Sequence, residues 1–125
     1  MDLSLDQAEG YLLVRRVDAR SVTLLDRVVE HSFLLTPAGI TEAWPVTSAS
    51  CLSVEDVPPL LALKPEVVIV GTGERQVFPA AAFMAGFLRQ GIGIEVMDNA
   101  AAARTYNLLA GEDRQVVAGF ILPPP

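Results

Sequence analysis

Four consecutive β-branched residues, Val67-Val68-Ile69-Val70, constrain this chain more than any other feature in it. Successive side chains of a strand point to opposite faces of its sheet, so an uninterrupted apolar run of this kind belongs to a strand covered on both faces. The next segment has a different period. Pro79 suits a first helical turn, and at 100° per residue Ala80, Phe83, Met84, Phe87 and Leu88 share one face, with Gly91 as a natural left-handed end. A strand from Ile92 to Met97 comes next. Asp98 then caps a helix running to about Ala110, whose expected core stripe is Ala101, Ala102, Thr105, Leu108 and Leu109. Gly111-Glu112-Asp113 turns the chain into a closing strand, Gln115 to Leu122. The order β-α-β-α-β with short connections favours parallel pairing through right-handed crossovers, with the helices against the sheet.

The first half reads differently. Residues 11–46 are rich in Val, Leu and Thr and are broken by polar turns at Asp18-Ala19-Arg20, Asp26-Arg27 and Pro37-Ala38-Gly39. This pattern predicts strands at Tyr11 to Val17, Val22 to Leu25, Val29 to Leu35 and Ile40 to Pro45, joined as antiparallel hairpins. Ser53 followed by Glu55 and Asp56 predicts an N-capped helix over Val54 to Leu63, shortened by Pro58-Pro59 and stopped before Lys64-Pro65. The class is therefore α/β, with antiparallel hairpins in the N-terminal half and β-α-β-α-β in the C-terminal half.

No repeat and no linker-like stretch interrupts the 125 residues, which predicts a single domain over 1–125 with a core at about 11–122, a short flexible N-terminus and a Pro-rich tail. A chain of this size buries roughly two-thirds of its extended surface and needs no staple. Fifteen acids against nine bases give a net charge of −6, which opposes nucleic acid and anionic lipid, since both are held by clustered Lys and Arg. One Cys and one His furnish neither an internal disulfide nor a zinc ligand set. Met1 to Gly10 carry three acids and no base, unlike a targeting leader, and the longest apolar stretch, Ala80 to Leu88, is far short of the ~20 residues that span a bilayer. A cytoplasmic protein without nucleic acid, membrane insertion, metal or cofactor is expected.

Parallel pairing would bring two connections to one rim, the carboxyl ends of the strands, where open α/β sheets place ligands. One is Gly71-Thr72-Gly73-Glu74-Arg75; the other is Asp98-Asn99. Gly71, Thr72, Gly73 and Arg75 offer backbone N–H groups and a charge to an anion, although Gln76 stands where a dinucleotide fingerprint requires glycine. The alternative reading is that the glycines permit an unusual turn. Asp98 could serve as a base but sits where a helix wants an N-cap. Arg104, preceded by small alanines, is expected to be a buried charge paired with Asp98 or Glu95. His31 reads as a surface or hydrogen-bonded strand residue, Cys51 as a packed thiol and Trp44 as a core anchor. No residue completes a catalytic set.

Val67-Val68-Ile69-Val70-Gly71-Thr72-Gly73, then Gly93-Ile94-Glu95-Val96-Met97-Asp98, then Ala102-Ala103-Arg104-Thr105-Tyr106-Asn107-Leu108-Leu109 form a distinctive series. With Ser32 to Pro37 and Trp44 upstream, the chain resembles the uncharacterised small-protein family that includes mitochondrial complex I assembly factor 3. The resemblance implies a three-layer α/β fold with a mixed, curved sheet, no established enzyme activity, and a protein partner of the kind met in building respiratory complex I. That family commonly has Thr where this chain has Asn99, so a hydroxyl-dependent reaction is not expected there. The leading expectation is a non-enzymatic interaction or assembly protein. The alternative is a binder of small anions or nucleotide-like ligands, or an enzyme, using Gly71, Thr72, Gly73, Arg75, Asp98, Asn99 and Arg104. Homo-oligomerisation through exposed strand edges stays open.

Overall fold

The computed structural model describes residues 11–124; the expected flexible N-terminus, residues 1–10, and the last residue of the tail lie outside that range. The N-terminal hairpins form a small antiparallel sheet, β1 (Val14–Val17), β2 (Val22–Leu24) and β3 (Val28–Val29), in that order. The chain then changes sheets. What the sequence predicts as one strand over Val29 to Leu35 is split, because β4 (Phe33–Thr36) leaves the small sheet and pairs antiparallel with β5 (Gly39–Thr41) in a larger one. The buried Ser32 marks the crossing: its Oγ accepts from the Leu122 N–H at 2.9 Å and donates to the Leu122 carbonyl at 3.4 Å. The expected strand to Pro45 stops at Thr41, beyond which Pro45 has no N–H to donate to a ladder.

The expected helix over Val54 to Leu63 is a 3₁₀ turn, Val54–Asp56, continuing into a short α1 (Val57–Leu61). Ser53 and Asp56 form a reciprocal capping box at its start. The β-branched run becomes β6 (Val67–Gly71), followed by α2 (Ala81–Leu88), β7 (Gly93–Met97), α3 (Asn99–Gly111) and β8 (Val116–Phe120). β6 pairs in parallel with both β7 and β8, and the large sheet has the order β5-β4-β8-β6-β7.

Every residue of β6 and β8 is buried, as a strand covered on both faces requires. Alternation sorts the side chains into two cores. Val67, Ile69, Val116, Ala118 and Phe120 face α3 and the small sheet; Val68, Val70 and Val117 face α1, α2 and Trp44. This is a three-layer α/β arrangement around a mixed sheet.

α3 is rotated from its expected stripe, whereas α2 keeps Phe83, Met84 and Phe87 of its own turned to the core. α3 buries Asn99, Ala102, Ala103, Tyr106 and Ala110, and leaves Leu108 63% exposed. Its small alanines let the backbone lie close to the sheet, so the Tyr106 ring fills the space that a leucine stripe would have filled. In α2, Phe83 and Phe87 are buried and meet edge to face at 5.1 Å, while Leu88 is exposed. Pro79 lies two residues before this helix, not inside it, and Gly91 has the left-handed φ of +74° expected at the end. Cys51 is exposed, contrary to expectation: its 3₁₀ turn buries Ala49 and turns Cys51 outward. His31 is exposed between strands, and Trp44 is buried.

Candidate functional site

Register places the rim. Gly71 at the end of β6 stands level with Met97 of β7 and Phe120 of β8, so the segment after Gly71 and the turn into α3 emerge side by side. They are hydrogen-bonded to each other. The Asn99 backbone N–H donates to the Gly73 carbonyl at 2.8 Å, and the Gly73 N–H donates to Asn99 Oδ1 at 3.2 Å. Asn99, 3% exposed, also donates from Nδ2 to the Ile121 carbonyl at 2.9 Å, which ties in the chain leaving β8. Asn99 thus stitches three strand ends together.

The glycines serve this junction. A Cβ on Gly71 would lie 2.3 Å from Asn99 Oδ1 and 3.1 Å from the Ala102 methyl, so only glycine admits the amide there. Gly73 adopts φ +107°, a conformation closed to ordinary side chains. Thr72 donates to the Arg75 carbonyl and accepts from the Val77 N–H at 3.1 Å, which folds the loop onto itself. Asp98 caps α3, accepting from the Ala101 N–H at 2.8 Å.

The charges at this rim are acidic. A shallow cavity of ≈ 230 Å³ opens beside the junction, with Asp18, Glu74 and Asp98 in its wall and neither Lys nor Arg. Arg75 is exposed and does not line it. Arg104 departs from the sequence-based expectation: it is exposed, and it pairs with neither Asp98 nor Glu95. Position decides this, because the inward face of α3 is taken by Ala103, Tyr106 and Ala110, which turns residue 104 to solvent. Of the seven candidate residues, five meet at one junction and the two arginines stand away from it. No group of three His, Cys, Asp or Glu is placed to hold a metal ion among the described residues.

Arg104 lines a second groove, of ≈ 240 Å³, between α3 and β1, together with Arg15 and Arg16. Asn107 closes one end: its Oδ1 accepts from the Val14 N–H at 2.9 Å and its Nδ2 donates to the Val14 carbonyl at 2.7 Å. Sequence reasoning missed this groove. Its only signal was the adjacent pair Arg15-Arg16 in an acidic chain. Buried Tyr106 anchors α3 from its inward face, donating to the Leu12 carbonyl at 2.7 Å, and burial pushes its phenol up from the ordinary tyrosine range.

Comparison with known proteins places this geometry in company. Residues 14–121 match the model of a family described as protein of unknown function (DUF498/DUF598). The chain is 37% identical over 83 residues to "NADH dehydrogenase [ubiquinone] 1 alpha subcomplex assembly factor 3" of Danio rerio, covering 65% of this chain and 48% of that protein. It is 37% identical over 57 residues to the "13 kDa major membrane protein" of Francisella tularensis, covering 46% of each. The chain thus spans about half the length of these curated relatives. A Xanthomonas campestris protein solved by NMR matches it with a TM-score of 0.83 at 41% identity, over 98% of this chain and 92% of that one. Among the described residues, no helix is long and apolar enough to cross a membrane.

Proposed function

This chain belongs to the family of proteins of unknown function DUF498/DUF598, and from that membership we propose that it is a non-enzymatic protein-interaction protein that assists assembly of a respiratory NADH dehydrogenase. The observation that carries the reading is the 37% identity to the zebrafish assembly factor. Because the match covers about half of that relative, the role passes to this chain as a proposal and not as a consequence of the fold.

The rim supports it. The strand-end position where an α/β protein would hold a small ligand is taken up by Asn99 and its three hydrogen bonds to Gly73 and Ile121, and the adjoining cavity wall is acidic. Loops committed in this way support a role carried by the outer surface. Deleting the chain in its source cell tests the proposal. Native gels stained for NADH dehydrogenase activity are expected to lose the assembled complex while its subunits are still made, and re-expression is expected to restore it. An assembled complex unchanged in amount and size overturns it.

A further inference from the structure

The geometry points to the groove between β1 and α3 as a docking site for a short acidic segment of a partner protein. Three of the chain's nine basic residues, Arg15, Arg16 and Arg104, line this one depression, on a molecule whose net charge is −6. Two of them have no carboxylate to answer them: among the described residues, neither Arg15 nor Arg104 forms an ion pair, and Arg16 reaches Asp18 only at 3.4 Å, with both side chains largely in solvent. Of the six other basic residues, Lys64, Arg75 and Arg89 also form no ion pair among the described residues, and three are occupied. Arg27 is held by Asp26 and Glu42, Arg114 by Glu66, and Arg20 donates to the Pro124 carbonyl.

The surroundings select the occupant. Guanidinium groups bind carboxylates through paired N–H donors, and three of them on two elements read an extended segment better than one point charge. Leu108, one helical turn beyond Arg104 and 63% exposed, offers an apolar contact beside them. Length is limited at one end. The groove shares Val17 and Ala100 with the acidic cavity formed by Asp18, Glu74 and Asp98, so a long polyanion would run from attraction into repulsion. A nucleic acid is disfavoured on that ground, and a few carboxylates around an apolar side chain fit. At the other end Asn107 already occupies the Val14 backbone groups, so the segment is held there by side chains and not by extension of the sheet.

This inference deepens the interaction reading and rests on it, and its test separates the two. The full chain is titrated with an acetylated decapeptide of glutamates around a central leucine, with its lysine counterpart, with inorganic phosphate and with a single-stranded oligonucleotide, while backbone amide NMR shifts are followed. The glutamate peptide is expected to move amides of residues 14–17 and 100–108 saturably, to weaken with salt, and to lose at least tenfold in affinity in the double variant Arg15→Glu, Arg104→Glu, whose melting temperature is unchanged. Absent shifts, undiminished binding by the double variant, or equal response to phosphate or oligonucleotide overturn the docking site. A double variant that loses peptide binding yet still restores assembled NADH dehydrogenase separates the groove from the assembly role and leaves the latter standing.

Discussion

Asn99 and Gly73 hold each other twice, through the Asn99 N–H on the Gly73 carbonyl at 2.8 Å and the Gly73 N–H on Asn99 Oδ1 at 3.2 Å. With the third bond to Ile121, this one amide replaces the solvent that would otherwise satisfy the ends of β6 and β8. Asn99→Ala leaves a buried donor and a buried acceptor without partners. It is expected to destabilise the fold by about 3 kcal/mol in denaturant melts, at an unchanged denaturant slope. A loss under about 0.5 kcal/mol would show that water substitutes freely and that the junction is open.

Packing across the other face of the sheet turns on Gly119. A Cβ there would lie 2.7 Å from the Trp44 ring, which is itself buried. Gly119→Ala is expected to cost about 1–3 kcal/mol and to shift the fluorescence of Trp44, the chain's single tryptophan, as the ring is displaced. Unchanged emission and stability would mean that the indole has room to move.

The orientation of α3 predicts an asymmetry between two neighbours. Leu108→Gln removes an exposed side chain and is expected to change stability by less than about 0.5 kcal/mol, as is Arg104→Ala. Ala103→Leu, on the buried face, is expected to cost about 1–3 kcal/mol through overpacking. Equal costs at positions 103 and 108 would restore the leucine-stripe orientation.

Tyr106 makes stability depend on alkaline pH. Its folded pKa is raised by burial, so the folded state holds the phenolic proton after the unfolded chain has released it. The stabilisation is therefore full below the unfolded value of about 10 and is lost as pH rises above it. Tyr106→Phe is expected to cost about 1 kcal/mol at neutral pH, through the unpaired Leu12 carbonyl, and to show a shallower alkaline decline in the melting midpoint. An equally steep decline in the variant would assign the alkaline sensitivity to other groups.

Much of this was legible because apolar period reports burial directly. The Val67 to Val70 run announced a strand covered on both faces, and Asp98 announced the start of α3. What stayed hidden depended on partners distant in sequence. The hydrogen bonds of Asn99 to Gly73 and Ile121 span 26 and 22 residues, and those between Asn107 and Val14 span 93. The face of α3 misled for a related reason. Leu108 and Leu109 look like core, but the close approach allowed by Ala102 and Ala103 selects the neighbouring stripe and leaves Leu108 outside. The groove arginines were invisible as a group, because β1 and α3 meet only in the folded chain.

Whether the strand-end rim is a closed junction or a ligand site is tested most directly by a thermal-shift series with anionic metabolites on the wild type and on Arg75→Ala. A ligand at a hundredfold excess over its Kd stabilises a fold by about 2.7 kcal/mol, a rise of several degrees in a chain of this size. With Asn99 filling the junction and acids around it, neither protein is expected to gain stability from phosphate, nucleotides or dicarboxylates. A concentration-dependent rise in the wild type that Arg75→Ala abolishes would contradict the account and make the rim a binding site.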